Sequence, residues 1–449
     1  MTFVDFLFER FEERRDEPAV ISPAGRCTFG ELIELRGEWG SALTRDGVAP
    51  GTVVGLEGDF TPSTIGLFFA LLDRAAIVVP QSNASKLGQA DKDEIAQIEA
   101  YYRVDFEDEV RFERTGRIAD HELYEELRRR GHPGAVAFSS GTSGDPKAAV
   151  HDFTFLLERF QERRRVFSTL AFLLFDHLGG IGTMLHAYSN AATIVSTRDR
   201  SPDAVCALIE EHSVELLPAT PTFFNLLLLS GAQRRHDLSS LRVITYGAEP
   251  MPESTLRRLG EQFPKVKLQQ TYGLIELGPM RSSSRDDGSA WVKVGGEGYE
   301  TRVVDGILQV RTRAMILGYL NAPSPITSDG WLVTGDAVLQ DGDYLRFLGR
   351  KSELINVGGR KVFPAEVEGV ILAIDGIEDV MVYGEPNALV GQIVCAQVKL
   401  REPREQVEVA RIVKQACREQ LDRFKVPVKV RVSDEAQFGT RFKKVRAER

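Results

Sequence analysis

A run of small hydroxyl and glycine residues, closed by a proline and a lysine, could bind the phosphates of a nucleotide. It reads Ser139-Ser140-Gly141-Thr142-Ser143-Gly144-Asp145-Pro146-Lys147. A loop without bulky side chains lets several backbone N–H groups turn inward onto phosphate oxygens, with the hydroxyls as further donors. The apolar segment 135–138 before it predicts a buried strand. A strand followed by such a loop indicates a nucleotide site, although a Gly/Ser loop taken alone is as often a flexible surface turn.

The loop is not a P-loop, because that motif needs Ser or Thr after its lysine and Ala148 follows Lys147 here. It resembles instead the signature of the adenylate-forming superfamily, which includes acyl-CoA synthetases, luciferases and the adenylation domains of peptide synthetases. The family loop runs Ser/Thr, Ser/Thr/Gly, Gly, Ser/Thr, Ser/Thr, Gly, any residue, Pro, Lys, and the chain matches it throughout. The resemblance covers nearly the whole chain and implies ATP and Mg²⁺ as cofactors and coenzyme A as acceptor substrate.

Three later segments resemble the family's next motifs. They are Gln270-Thr271-Tyr272-Gly273-Leu274-Ile275-Glu276, Thr334-Gly335-Asp336 and Gly349-Arg350. The resemblance implies that Tyr272 stacks on adenine and that Glu276 binds Mg²⁺ through a carboxylate oxygen. It implies that Asp336 accepts hydrogen bonds from both ribose hydroxyls and that Arg350 contacts ribose and phosphate. Each segment taken singly would be an ordinary turn.

The C-terminal segment 439–446 stands where the family carries a lysine that bridges the carboxylate and the α-phosphate, and Lys444 takes that place. The sequence departs from the family in two positions: Ile275 replaces the usual Thr, and Lys443 replaces a glycine. Ser352 aligns with the hinge about which the family's C-terminal lid rotates. Gly358 and Gly359 would then line a tunnel for pantetheine.

The acyl site is implied by two other segments. Gly247-Ala248-Glu249 resembles a loop that lies along the acyl pocket and adenine. His177, between an aspartate and two glycines, stands where the family has a residue that gates the acyl site, and we count it among the catalytic candidates. A lone histidine beside glycines is more often a structural hydrogen-bonding group.

The elements that must position these residues predict an α/β fold. Strand-like and helix-like segments alternate in residues 1–80 and again in 166–280, which indicates two α/β sheet subdomains. Short glycine-spaced strands in 291–334 predict a small β-barrel, and the charged segment 83–131 predicts surface helices and loops. We expect a large N-terminal domain, 1–349, and a small mobile α+β lid, 350–449. The lid carries 19 Lys and Arg against 15 acids, so its net charge is +4.

Bulk properties exclude several classes of protein. The chain has 449 residues, 43% hydrophobic and 27% charged, as in ordinary globular proteins, and a net charge of −9 argues against a nucleic-acid partner. The four cysteines are scattered, which predicts neither a disulfide framework nor a zinc site. We expect no signal peptide and no membrane span, and hence a cytoplasmic protein.

The sequence therefore predicts ATP-dependent activation of a small carboxylic acid to an acyl-adenylate, followed by transfer to the thiol of coenzyme A. One alternative is loading of an acyl or amino acid onto the phosphopantetheine of an acyl carrier protein. Another is a nucleotide-binding relic without catalysis, which the departures at Ile275 and Lys443 would fit.

Overall fold

The computed structural model describes residues 3–83, 89–139, 146–286, 288–434 and 439, without the side chains of residues 89 and 90. The helices are α1 (Asp5–Glu12), α2 (Phe29–Arg45), α3 (Pro62–Asp73), α4 (Gln89–Ile95), α5 (Glu122–Arg130), α6 (Phe153–Glu158), α7 (Leu178–Tyr188), α8 (Pro202–His212), α9 (Pro221–Ser230), α10 (Glu253–Gln262), α11 (Pro364–Leu372) and α12 (Gln406–Gln420). The strands are β1 (Pro18–Ser22), β2 (Gly25–Thr28), β3 (Val53–Gly58), β4 (Ile77–Ser82), β5 (Ala100–Val104), β6 (Val110–Arg114), β7 (Gly134–Ser139), β8 (Lys147–Asp152), β9 (Thr169–Ala171), β10 (Ile194–Ser196), β11 (Leu216–Ala219), β12 (Val243–Tyr246), β13 (Lys267–Gln270), β14 (Tyr272–Leu274), β15 (Gly278–Met280), β16 (Ser282–Ser284), β17 (Val292–Val294), β18 (Tyr299–Val304), β19 (Ile307–Thr312), β20 (Gly318–Tyr319), β21 (Leu332–Asp341), β22 (Tyr344–Arg350), β23 (Ile355–Val357), β24 (Arg360–Val362), β25 (Ile377–Asn387), β26 (Gly391–Leu400) and β27 (Lys429–Val432).

The first large sheet carries the strands on either side of the predicted phosphate loop. Its order is β20-β8-β7-β4-β3-β5-β6, parallel at its centre and antiparallel at both edges. Strands β3 and β4 are almost wholly buried apolar runs, as expected for parallel strands covered on both faces. Helix α3 covers them; Thr61 caps its first turn and Pro62 occupies the position where a missing N–H costs nothing.

The prediction of surface helices and loops for 83–131 is wrong in its middle part. Strand β5 is buried, pairs in parallel with β3, and forms a hairpin with β6. The acidic residues 107–109 belong to the turn of that hairpin, where Asp105 Oδ1 accepts from the backbone N–H of Glu107 and Glu109. The strand itself is rich in apolar and aromatic residues, and the charged residues on either side of it led to the surface prediction.

The second large sheet has the order β13-β12-β11-β9-β10-β1-β2 and is parallel except for the β1–β2 hairpin. One face packs into a core that includes Leu217, Ile244 and Leu268. The N-terminal hairpin joins this sheet through β10, about 170 residues away in sequence. The carboxyl ends of β11, β12 and β13 lead directly into the predicted acyl and nucleotide segments.

A six-stranded antiparallel sheet occupies the region predicted as a small β-barrel. Its order is β16-β17-β22-β21-β19-β18. The pairing of β21 with β22 sets Asp336 opposite Arg350. Two motifs that lie 14 residues apart in the chain thereby meet on one face of one sheet.

The C-terminal part forms a five-stranded sheet of β23–β27 with α11 and α12, and it has its own apolar core. A short 3-10 turn, Lys351–Glu353, follows β22 and contains Ser352. The Asn225 side-chain amide donates to the Glu378 carbonyl oxygen at 3.0 Å, which links α9 to this sheet. The division at 349/350 stays a prediction. None of the helices in the described ranges has the length and apolarity needed to cross a bilayer.

Candidate active site

A cavity of 1970 Å³ opens where the carboxyl ends of β11–β13 face the antiparallel sheet and the C-terminal part. Its walls bring together most of the predicted site residues that the structure describes. They are Ser139, Lys147, His177, Gly247, Ala248, Glu249, Thr271, Tyr272, Gly273, Glu276, Asp336 and Arg350. The predicted residues Ser140, Gly141, Thr142, Ser143, Gly144 and Lys444 lie outside the described residues.

The phosphate loop connects the two strands of an antiparallel hairpin, in which Ser139 pairs with Lys147. The Ser139 hydroxyl is buried and has no hydrogen-bond partner among the described residues, and Ser139 lines the cavity. The Lys147 ammonium lies 5.8 Å from the centre of the Tyr319 ring. The edges of the loop therefore present a donor and a positive charge to the cavity.

Asn321 holds the downstream end of this loop and was not predicted from the sequence. Its side-chain amide donates to the Pro146 carbonyl at 2.8 Å and accepts from the Ala148 N–H at 3.0 Å. The pairing of β20 with β8 brings it there. No local motif marks Asn321, because its role depends on a strand pairing between segments about 170 residues apart.

Tyr272, Asp336, Arg350 and Thr334 form one hydrogen-bonded network. The Tyr272 hydroxyl donates to Asp336 Oδ2 at 2.7 Å, and Arg350 Nε lies 2.8 Å from Asp336 Oδ1. Arg350 also donates to the Thr334 carbonyl at 2.9 Å. Burial and the neighbouring Asp336 carboxylate raise the pKa of Tyr272 well above its ordinary value, so its hydroxyl stays a donor. Asp336 is accordingly held in one orientation, because each of its carboxylate oxygens has a donor.

The ring of Tyr272 is stacked on Phe347, with the ring centres 4.4 Å apart and the planes inclined by 20°. Phe347 lines the same cavity and was not predicted. Its position on β22, three residues before Arg350, gave no signal in the sequence. The predicted stacking of Tyr272 on adenine therefore requires the ring face that is turned away from Phe347.

Glu276 lies in the turn between β14 and β15. Its Oε1 accepts from the Tyr319 hydroxyl, and burial together with this carboxylate raises the pKa of Tyr319. Its Oε2 is buried and has no hydrogen-bond partner in the described part of the chain. A buried carboxylate oxygen without a partner costs free energy unless a cation binds it, so the site fits Mg²⁺. Ile275 packs against the main apolar core.

Two glycines are required where the walls approach closely. A Cβ atom on Gly273 would lie 2.8 Å from the Gly278 carbonyl oxygen, across the β14–β15 hairpin. A Cβ atom on Gly247 would lie 2.4 Å from the Thr271 hydroxyl, which itself donates to the Tyr246 carbonyl. The next residue, Ala248, has φ of 70°, so the loop turns sharply along the cavity.

His177 caps helix α7: its Nδ1 accepts from the Gly179 N–H at 3.0 Å. The ring also lines the cavity, so His177 can serve both as a helix cap and as a group at the acyl site. Its catalytic role stays a prediction. Glu249 accepts from the Thr222 hydroxyl at 2.7 Å.

One face of the C-terminal part closes the cavity. Ala365, Glu368, Leu372, Asp379 and Gly439 contribute to its wall. Gly439 begins the segment that contains Lys444. Gly358 and Gly359 lie instead in the exposed turn between β23 and β24, and they do not line the cavity.

The family model for AMP-binding enzymes matches residues 81–310, and the model for the C-terminal domain of AMP-binding enzymes matches residues 366–441. The chain belongs to the family of AMP-binding enzymes. The resemblance inferred from the motifs is confirmed.

Two characterised relatives and one solved structure extend this result. One relative is the 3-[(3aS,4S,7aS)-7a-methyl-1,5-dioxo-octahydro-1H-inden-4-yl]propanoyl:CoA ligase of Rhodococcus jostii, to which the chain is 30% identical over 316 residues. The aligned region covers 67% of this chain and 61% of that ligase. The chain is 30% identical over 332 residues to the indoleacetate–CoA ligase of Aromatoleum aromaticum, covering 68% and 64%. The chain thus spans less than two thirds of the length of these relatives.

The crystal structure of the anthranilate CoA ligase AuaEII in complex with anthranoyl-AMP superposes with a TM-score of 0.84 and 21% identity, over 99% of this chain and 95% of that one. This similarity confirms the predicted α/β fold class with a C-terminal α+β part, and the six-stranded antiparallel sheet is compatible with the predicted small β-barrel.

Proposed function

We propose that this protein is an AMP-forming acid–thiol ligase, which converts a carboxylic acid, ATP and coenzyme A into a thioester, AMP and pyrophosphate. The observation that carries the proposal is the single cavity that unites Lys147, Glu276, Asp336 and Arg350 with the C-terminal part. These side chains supply a cation, a carboxylate whose Oε2 has no partner among the described residues, a ribose acceptor and a second cation.

In the first half-reaction a carboxylate oxygen of the acid attacks the α-phosphorus, and the bond to pyrophosphate breaks. Two anions must approach each other, so positive charge has to be in place before the reaction. Lys147 and the backbone of the phosphate loop bind the leaving phosphates, and Asp336 fixes the ribose. Lys444 bridges the carboxylate and the α-phosphate. Glu276 Oε2 would hold Mg²⁺, which neutralises phosphate charge when bound.

In the second half-reaction the thiol sulfur attacks the acyl carbon, the bond to AMP breaks and the thiol proton leaves to solvent. The C-terminal part rotates about Ser352, so that Lys444 leaves the cavity and Gly358 and Gly359 replace it. The presence of Gly439 in the cavity wall and the exposure of the two glycines support the view that the described conformation is the one for adenylation.

Coenzyme A is the acceptor that the similarity to two CoA ligases favours. A carrier-protein phosphopantetheine has the same reactive thiol and remains the alternative acceptor. Because ATP and coenzyme A are both intracellular cosubstrates, we propose a cytoplasmic reaction.

A panel of aliphatic, aromatic and amino acids, each incubated with ATP and with or without coenzyme A, tests this proposal through pyrophosphate release and mass spectrometry of the products. We expect acyl-AMP without the thiol and thioester with it. Glu276→Gln should lose most of the activity, whereas Glu38→Gln, at an exposed glutamate of α2, should not. Absence of acyl-AMP with every acid would contradict the proposal and favour a nucleotide-binding relic without catalysis.

A further inference from the structure

The backbone around Glu276 accepts hydrogen bonds from residues outside its own hairpin. The N–H of Ile316 donates to the Glu276 carbonyl at 2.9 Å. The carbonyl oxygens of the two adjoining residues, and that of Pro279, accept from the side chains of His151 and Arg159. A turn of this kind is ordinarily mobile at a surface, so these contacts fix the position of its carboxylate.

His151 donates from Nε2 to the Ile275 carbonyl at 2.7 Å. The side chain is completely buried, and its Nδ1 has no hydrogen-bond partner among the described residues. Burial lowers the pKa of His151 to about 4, so the ring is neutral at physiological pH. A buried ring nitrogen without a partner is unfavourable for stability. An apolar residue would avoid that cost, which indicates that the hydrogen bond to Ile275 is the reason for a histidine here.

Arg159 follows the last residue of α6, and its Nε, Nη1 and Nη2 all donate hydrogen bonds to backbone carbonyl oxygens. It donates to Leu156 at 3.2 Å, to Leu277 at 3.0 Å, and to Pro279. In the ranges that the structure describes it forms no ion pair with a carboxylate. Arg159 also lines the cavity. The planar fork is suited to span two carbonyls of one turn, which the single ammonium of a lysine is not.

We propose that His151 and Arg159 are positioning residues that hold the 275–279 turn so that Glu276 Oε2 points at the metal. The inference rests on the proposed function for the identity of that metal as Mg²⁺. Neither residue touches the metal; each acts through the backbone on either side of Glu276. Removing contacts that orient a metal ligand typically costs about 10–100-fold in metal affinity.

The test measures binding of Mn²⁺, as a spectroscopic substitute for Mg²⁺, to the full chain with α,β-methylene-ATP present, by electron paramagnetic resonance. Arg159→Gln and His151→Phe should each weaken Mn²⁺ binding about 10–100-fold. His151→Gln, which keeps an N–H donor near the original Nε2, should recover most of the affinity. Arg128→Gln is the matched control, because Arg128 also donates to two carbonyls, of Gly51 and Ala119, but does not line the cavity.

Unchanged Mn²⁺ affinity in folded Arg159→Gln would overturn the proposal, as would equal losses in Arg128→Gln. If His151→Phe does not fold, the Arg159 comparison decides alone. A wild-type protein that binds Mn²⁺ and nucleotide but never forms acyl-AMP would refute the proposed function while leaving the affinity differences to test the positioning role.

Discussion

Replacing Asp336 with asparagine removes one carboxylate oxygen and the negative charge while keeping the size of the side chain. In the structure the two carboxylate oxygens accept from the Tyr272 hydroxyl and from Arg350 Nε. The ribose hydroxyls of ATP are expected to bind the same carboxylate. Asparagine retains a single acceptor oxygen for all of these donors.

The expected fall in kcat/KM for ATP is calculated from the loss of one charge-assisted hydrogen bond to the ribose. Such a bond contributes about 1.5–3 kcal/mol, so kcat/KM for ATP should fall about 10- to 150-fold. The loss of stability should be small, because the Arg350 side chain is 40% exposed and water can solvate its charge. Asp341→Asn, at the exposed end of the same strand β21, is the control and should leave ATP kinetics unchanged.

The decisive assay compares ATP with 2′,3′-dideoxy-ATP in pyrophosphate exchange, for the wild-type protein and for Asp336→Asn. If Asp336 binds the ribose hydroxyls, their removal costs the wild type much more than it costs the variant, since the variant has already lost that bond. A coupling of about 1 kcal/mol or more is expected for groups in direct contact. The same penalty in both proteins would refute the assignment of Asp336 to the ribose.

Lys444→Ala should slow acyl-AMP formation about 10²–10³-fold, yet the variant should convert supplied acyl-AMP and coenzyme A at nearly the wild-type rate. Equal losses of rate in both assays would contradict rotation of the lid, and a loss in neither would point to Lys443 as the working residue. Asn321→Ala removes both hydrogen bonds at the end of the phosphate loop and should raise KM for ATP about tenfold; an unchanged KM would show that the loop does not need this contact. Burial lowers the pKa of His151 to about 4 in the folded protein. Between pH 6.5 and pH 4 the unfolded state therefore binds a proton that the folded state does not. The free energy of unfolding falls as a result, by about 2–3 kcal/mol at pH 4.5. His151→Phe should therefore lose less stability than the wild type between pH 7 and pH 4.5 in urea titrations, and parallel losses would contradict the lowered pKa.

The candidate site could be predicted largely because its residues occur in short motifs. The loops after β12 and β13 begin where parallel strands of one sheet end, whereas Asp336 lies within β21 and faces Arg350 through the pairing of β21 with β22. The motifs thus identify Tyr272, Asp336 and Arg350 without reference to their contacts.

The remaining features depend on contacts between distant segments. Strand β5 is buried because Tyr101 and Tyr102 pack into two different apolar cores, whereas the charged residues around the strand suggested a surface position. The N-terminal hairpin joins the second sheet through β10, which no local pattern encodes. Asn321 and Arg159 act on the backbone of other segments, and a side chain that binds carbonyl oxygens leaves no motif in the sequence.

The central claim is that the carboxylate is activated by forming a bond to the α-phosphorus of ATP. The most direct test uses an acid from the panel labelled with ¹⁸O in both carboxylate oxygens, with ATP and coenzyme A, and analyses the products by mass spectrometry. We expect AMP carrying one ¹⁸O atom, pyrophosphate without label, and a thioester that retains the other ¹⁸O. Label in inorganic phosphate together with ADP would contradict it, because the acid would then have been activated at the γ-phosphorus.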